Sequence, residues 1–207
     1  MKKMLLLLTV LSMPACFAQE PAKPADDLAK RLQAAYASAA DWLATQQDAS
    51  GAWKMGPPGR QMPSPSYTAL ILTALANAPD DLRARQKGVM DKATAFLVAR
   101  ANADGSFGEG DSGTFLKTYT TALSLMALSS VDRERHGNVI RGAQAYLKQN
   151  QLKEGMNRGG SGYGDEEPKV KEGRMVVAKS IATLSVTGFA AEGLEKSGLP
   201  KEDEFWK

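Results

Sequence analysis

The chain has 207 residues, with 26 lysines and arginines against 23 aspartates and glutamates, a single histidine and a single cysteine. A net charge of +3 gives no basic field of the strength that nucleic-acid binding needs, and one cysteine excludes an internal disulfide. Apolar residues at 43% in a chain of this length suit one ordinary globular domain.

The sequence opens Met-Lys-Lys, runs apolar from Met4 to Met13, breaks at Pro14 and offers small residues at Ala15 and Ala18 ahead of Gln-Glu-Pro. A charged start, an apolar centre and a small-residue exit are the order of a secretory signal, so residues 1–18 are assigned to a signal peptide and the remainder is expected to be exported, periplasmic or secreted. The apolar run is about half of the roughly 20 residues a membrane span requires, and no later stretch comes closer. Cys16 falls in the cleavage region, where a lipoprotein would carry its lipid. Met13-Pro14-Ala15 ahead of it departs from the usual leucine-led lipid signal, so cleavage after Ala18 is the favoured route. By either route the folded part keeps no cysteine, hence no thiolate metal ligand and no cysteine nucleophile. Loss of Lys2 and Lys3 with the signal leaves the charge close to neutral.

Residues 19–24 read as a Pro/Lys/Glu spacer. Asp26 and Asp27 suit a helix N-terminus, and Leu28, Leu32, Ala35, Ala39, Trp42 and Leu43 continue at helical spacing to about Gln47. From Asp48 to Ser66 prolines and glycines forbid a helix, and Ser64-Pro65 then supplies a cap and a first-turn proline. The next helix carries Tyr67, Leu70, Ile71, Ala74, Leu75 and Ala78 on one stripe, with Ala69 and Leu72 making its other side apolar as well. Such a helix is expected to be buried on more than one side. Asp80-Asp81 reads as the start of a further outer helix, with Asp91, Lys92 and Arg100 on its exposed face. After it, Tyr119 to Leu128 holds no charge at all. One helix of each pair is therefore expected to face outward and the other inward.

The pattern behind this alternation is Trp42 to Trp53: aromatic-Leu, three residues, Gln47, three residues, Gly51, one residue, aromatic. Phe96-Leu97 with Ala101, Gly105 and Phe107 keeps every spacing, and Tyr146-Leu147 with Gln151 and, after an insertion, Gly162-Tyr163 reads as a third copy. Matching Leu75, Leu128 and Leu184 places an apolar run at a nearly constant distance after each closing aromatic. A period of about 50 residues with two helices per repeat belongs to stacked or ring-like architectures. The repeats are placed at about 25–80, 81–130 and 131–195 within a repeat domain at 25–207. The amides of Gln47 and Gln151 are expected to satisfy backbone groups at a neighbouring helix end, a role Ala101 cannot fill.

This pattern resembles the repeat of the squalene cyclase and protein prenyltransferase superfamily, and Lys92-Ala93 before Phe96 is similar to that repeat's basic-small opening. The resemblance runs from about Ala35 to Phe189, strongest at Trp42 to Trp53 and loosest in the third copy. It implies an all-α fold, a partial α/α-toroid of helical hairpins with inner helices around a cavity and outer helices around them. It also suggests enzymes, but the residues of their chemistries are missing. No Asp-rich DxDD or DCT-type acid motif is present. A prenyltransferase zinc site of Asp, Cys and His cannot be assembled from Cys16 and the lone His136. Internal thioesters require a cysteine the folded part lacks.

The acidic loops, Asn102, Asp104, Ser106, Glu109 and Asp111 in one and Asp165, Glu166 and Glu167 in the other, are rich in oxygen ligands. They depart from the helix-loop-helix calcium spacing and read as solvated turns, so no metal and no cofactor are expected. Under the Leu184 match, Lys179 takes the inner-helix position of Leu70 and Leu123, either as a base or anion contact of lowered pKa or as a slip of the looser repeat. Arg174 and Lys171 would begin the same helix and face an anionic ligand beside it. Tyr67 and Tyr119 lie at the starts of inner helices, at the expected cavity mouth. Candidate ligand contacts are thus Tyr67, Tyr119, Arg174 and Lys179, with no catalytic set.

The leading reading is an exported binding or scaffold module of the cell envelope, with an unknown ligand or envelope protein as partner. The alternative is a divergent terpenoid cyclase or prenyl transferase, or a polysaccharide-active enzyme, on the same fold. At the end of the sequence, Phe205-Trp206-Lys207 aligns with Met90-Asp91-Lys92 and Ile140-Arg141-Gly142 as the start of a fourth repeat at 203–207. Three hairpins and one further turn would form an open arc with an apolar edge there. Further sequence, making this chain a fragment, or self-association with a second copy would fill that edge.

Overall fold

A computed structural model describes residues 25–110, 116–164, 169–171, 174–176 and 181–207. The signal at 1–18 with Cys16, the spacer 19–24 and Lys179 lie outside the described residues. Among the described residues the helices are α1 (Ala25–Gln46), α2 (Pro65–Ala76), α3 (Asp80–Arg85), α4 (Lys87–Val98), α5 (Lys117–Asp132), α6 (Gly137–Asn150) and α7 (Leu184–Lys196), followed by one tight helical turn at Glu204–Trp206. Strands β1 (Trp53–Met55) and β2 (Met62–Ser64) form one antiparallel ladder, and β3 (Lys169–Lys171) and β4 (Arg174–Val176) another. The protein is therefore mostly helical, as the periodicity predicts. No described helix is long and apolar enough to cross a membrane.

The chain divides into two compact units, residues 1–35 and 36–207, with α1 running through the boundary. In the first, the predicted stripe residues Leu28 and Leu32 are exposed. In the second, α5 is central. It packs closely on α2 and on α7, while α4 lies against α2 and α6 against α5. Every residue from Thr120 to Leu128 is buried, which is why that run carries no charge. α6 buries only one stripe, Ile140, Ala143, Tyr146 and Leu147. The inward and outward roles read from charge patterning thus hold for these helices. Ser64 caps α2, its hydroxyl accepting from Tyr67 N–H with Pro65 in the first turn, as expected. Asp80-Asp81 starts the short α3, and Gln86 separates it from α4. The predicted loop from Asp48 to Ser66 contains the β1–β2 ladder.

Three equivalent hydrogen bonds set the register of the repeat. The backbone N–H groups of Trp53, Phe107 and Ser161 donate to the hydroxyls of Thr68, Thr121 and Thr187 at 3.1, 2.8 and 2.9 Å. Two residues ahead of each donor stands a glycine at positive φ, Gly51 (+88°), Gly105 (+84°) and Gly159 (+82°). These anchors correct the third copy. Its turn is Gly159 and Ser161, not Gly162 and Tyr163, because Gln151 and its glycine are eight positions apart where Gln47 and its own are four. Its inner helix starts late, so Leu194, fully buried, stands where Leu75 and Leu128 stand, while Leu184 is 92% exposed. Phe189, not Lys179, occupies the position of Leu70 and Leu123. Lys171 and Arg174 face each other across the β3–β4 ladder and do not begin a helix. The third repeat carries extra residues both within its turn and between Ser161 and Thr187, so the leucine at the spacing of the other copies is not the equivalent one.

The glutamines act as expected. Gln47 Nε2 donates to Gly51 O at 3.0 Å and Val89 O at 2.9 Å. Gln151 Nε2 donates to Gly159 O at 3.1 Å and Phe205 O at 2.9 Å. Each amide ties its own turn to a later element, Val89 lying in α4 and Phe205 in the closing helical turn, and Phe205 stands where Val89 does, one residue from the predicted alignment. The aromatics at 205–206 have packing partners within the chain. Phe205 is buried in the core, and Trp206 meets its ring edge-on at 5.0 Å and donates Nε1–H to Pro200 O.

A side chain at Gly105 would need a left-handed backbone and would place its Cβ 2.3 Å from Gly142 O in α6, whereas Gly59 (φ +80°) has nothing within 4 Å. Gly105→Ala is therefore expected to cost about 2–5 kcal/mol, conformational strain plus overpacking, and Gly59→Ala only about 1–2 kcal/mol. Urea denaturation of the two variants measures the difference, and equal losses would remove this account of the turn.

Candidate functional site

The N-terminal ends of α2 and α5 bring together the residues of the expected cavity mouth. Tyr67 lies in the first turn of α2 and is half-exposed, and Tyr119 lies in the first turn of α5. The Tyr119 ring packs against Tyr163 at 5.9 Å and against Phe189 of α7, edge-on, at 5.8 Å. Burial, then the neighbouring Tyr163, Tyr67 and Glu109, push the Tyr119 phenol above its ordinary range. At neutral pH it is an uncharged hydrogen-bond group beside aromatic faces. Of the four predicted contacts, the described side chains are those of Tyr67 and Tyr119. Tyr67 and Tyr119 share this mouth, the Arg174 backbone lies in β4, and Lys179 lies outside the described residues.

Glu109 is the mouth residue whose role the sequence reading missed. It is only 4% exposed, and its Oε1 accepts from Ser66 N–H at 2.7 Å and from the Ser64 hydroxyl at 3.1 Å. The carboxylate thus sits on the first turn of α2, where exposed N–H groups favour negative charge. Two residues after Ser161, as Glu109 is two after Phe107, Tyr163 does the same for α5 with its backbone carbonyl, accepting from Thr118 N–H at 3.1 Å and Tyr119 N–H at 3.3 Å. In both places the loop of one repeat caps the inner helix of the repeat before it. The signal available in the sequence was the Ser-Pro-Ser start of α2, which offers two donors with one capping side chain of its own.

Asp104 of this loop is also used structurally. Asp104 accepts from Ser106 N–H and hydroxyl at 3.0 and 2.6 Å and from Lys117 Nζ at 2.7 Å. The Lys117 ammonium in turn lies 5.2 Å from the centre of the Tyr146 ring, within cation–π range. Asp111, Asp165, Glu166 and Glu167 lie outside the described residues. Among the described residues no group of three or more His, Cys, Asp or Glu is placed to hold a metal ion.

A second concavity, of about 360 Å³, lies beside α2 and is lined by Trp42, Gln46, Lys54, Gln61, Tyr67 and Ile71 among others. The indole of Trp53 forms part of its floor and donates Nε1–H to Leu43 O at 2.8 Å. Trp42 is 61% exposed and Tyr67 45%.

Removing the carboxylate in Glu109→Ala leaves buried donors of α2 without a partner and is expected to cost about 1–3 kcal/mol, read as a lower urea midpoint. Glu109→Gln, which keeps an acceptor oxygen, should recover part of it. The Asp104 carboxyl feels burial, which raises its pKa, but the hydrogen bonds from Lys117 and Ser106 and the Lys117 charge outweigh this and bring it down to about 2. A lowered folded-state pKa means a contribution fully present above the ordinary value of 3.8 and lost as pH falls through about 2. Asp104→Asn should therefore be less stable than the parent at pH 6, with the gap closing between about pH 4 and pH 2. A gap independent of pH, followed by thermal melting, would contradict the ionic assignment. No protein-family model matches this sequence and no curated protein matches it, so the reading of the site rests on these residues.

Proposed function

We propose that this chain is an exported helical-repeat module of the α/α-toroid type, a non-catalytic binding or scaffold element of the cell envelope. The observation that carries this reading is the threonine latch repeated at Thr68, Thr121 and Thr187, with the polar side chains of the mouth given over to holding it. Glu109 caps α2, Asp104 is tied to Lys117 and Ser106, and the amides of Gln47 and Gln151 bridge successive elements. What the mouth leaves for a ligand is aromatic, Tyr67 and Tyr119 with Phe189 behind them. The signal-like order of residues 1–18 supports export.

One observation favours a second reading, an isoprenoid-active enzyme: a buried carboxyl, Glu109, lies near the phenol of Tyr119. A proton donor beside aromatic faces is what an alkene cyclisation requires. The two hydrogen bonds Glu109 accepts from α2 speak for the cap instead. Incubation of the exported protein with squalene and with envelope polysaccharides separates the readings. Binding without turnover, on a protein whose N-terminus is Gln19, is the expected outcome. A product whose formation is lost in Glu109→Gln would replace the module with an enzyme, and a diacylglyceryl Cys16 would replace release with lipid anchoring.

A further inference from the structure

Between the end of α1 and the start of α2 the surface forms a pocket and not an open face. Further along, Tyr36 of α1 already meets α2, its hydroxyl donating to Ala74 O at 2.6 Å. What stays open is the concavity of about 360 Å³, near the lower end of the size range of ligand sites. Trp42 and Gln46 come to it from α1, Lys54 from β1, Gln61 from the loop between β1 and β2, and Tyr67 from α2. Its aromatic residues are placed as a ligand needs and as packing does not. The Trp53 indole is 3% exposed and its N–H is satisfied by Leu43 O, so its ring is a fixed floor. Trp42 holds the repeat position at which Phe96 and Tyr146 are buried, yet it is itself 61% exposed, with Tyr67 half-exposed in the same lining. Two large rings left in water at one concavity carry a cost that burial against a ligand removes.

The polar residues of the lining decide the class of ligand. Lys54 is the single charged residue among them and lies 3.6 Å from the Asp48 carboxylate, so the pocket holds a balanced pair and no surplus charge for a phosphate, carboxylate or ammonium group. The Gln61 side chain has no hydrogen-bond partner among the described residues. Gln46 donates from Nε2 to the Thr45 hydroxyl at 3.0 Å and keeps its amide oxygen open. An amide offers a donor and an acceptor side by side, which matches the neighbouring hydroxyls of a sugar ring. The C–H face of a pyranose, in turn, suits the electron-rich face of an aromatic ring. A long hydrocarbon would take water from both amides and return no hydrogen bond, with most of its length outside so small a pocket.

We propose that this pocket binds an uncharged saccharide, a short stretch of a pyranose chain stacked on Trp42 and hydrogen-bonded by Gln46 and Gln61. The inference rests on the binding-module reading above and gives that module its ligand class. Isothermal titration of the purified chain with neutral tetrasaccharides of glucose, of N-acetylglucosamine and of mannose tests it, with tryptophan emission followed in parallel. Trp42→Ala and Gln61→Ala alter the pocket, and Trp42→Phe keeps an aromatic face there. Leu70→Ser, at an α2 residue that is 37% exposed but outside the lining, is the control. The expected result is saturable binding of at least one tetrasaccharide, weakened about tenfold or more by Trp42→Ala and about threefold to tenfold by Gln61→Ala, largely kept in Trp42→Phe and unchanged in Leu70→Ser. Circular dichroism of each variant confirms that it is folded. Saccharide binding indifferent to both Trp42→Ala and Gln61→Ala would overturn this site while leaving the module reading in place. Binding of none of the tetrasaccharides, or an emission change with farnesol in their stead, would overturn the saccharide assignment. Hydrolysis of a bound tetrasaccharide that is lost in Trp42→Ala would keep the site and overturn the non-catalytic reading instead.

Discussion

A buried backbone N–H that its own loop cannot satisfy is the constraint on which each repeat is built. The chain leaves the outer helix, reverses at a glycine and comes back under the inner helix, and there the amides of Trp53, Phe107 and Ser161 point into the core. A main-chain donor left unpaired in that position costs about 1–3 kcal/mol. Threonine solves the problem at little expense to the helix. The Thr68 and Thr121 hydroxyls accept from the loop while donating to the carbonyl four residues back, Ser64 O and Lys117 O. One side chain therefore fixes the height of the inner helix against the turn, and everything carried on that helix inherits the register.

The second layer of organisation passes between repeats. Gly51 and Gly105 lie against the carbonyls of Lys92 and Gly142 so closely that no Cβ fits, which brings each turn onto the following outer helix. Gln47 and Gln151 add a side-chain bond in the same direction. Glu109 and Tyr163 O work the other way, from a later loop onto an earlier inner helix. α5, capped by the Tyr163 carbonyl and packed between α2 and α7, has the longest uninterrupted run of buried residues among those described.

How much of this was legible in the sequence depended on whether the residue acts within its own repeat. Helix type, the outward and inward faces, the Ser64-Pro65 start and the glutamine bridges were readable because local periodicity or a fixed offset encodes them. The third copy was misread because insertions within and after its turn move the inner helix later along the chain, so that Leu184, at the spacing of the other copies, stood in for Leu194. A hydrogen bond, not a distance along the chain, was needed to find Thr187. Glu109 was seen only as one carboxylate in a glycine loop, since its partners Ser64 and Ser66 lie a full repeat earlier and no local pattern links them. The bareness of Trp42 and Leu70 was equally unreadable, because identical positions in other copies are buried. Exposure there is set by neighbours and not by sequence.

The Glu109 cap has a consequence for how the molecule opens. Because the carboxylate that steadies the first turn of α2 is delivered by the loop ahead of α5, loosening that loop also releases the start of α2. The Tyr163 carbonyl couples α5 to the third loop in the same manner. Local openings in a repeat array are ordinarily confined to one repeat and its nearest interface. Here the helix ends are shared property, so amide protons in the first turns of α2 and α5 exchange only when the neighbouring loop lifts away. The array therefore breathes as a coupled block about α5, and its slowest-exchanging hydrogens mark the middle of the chain.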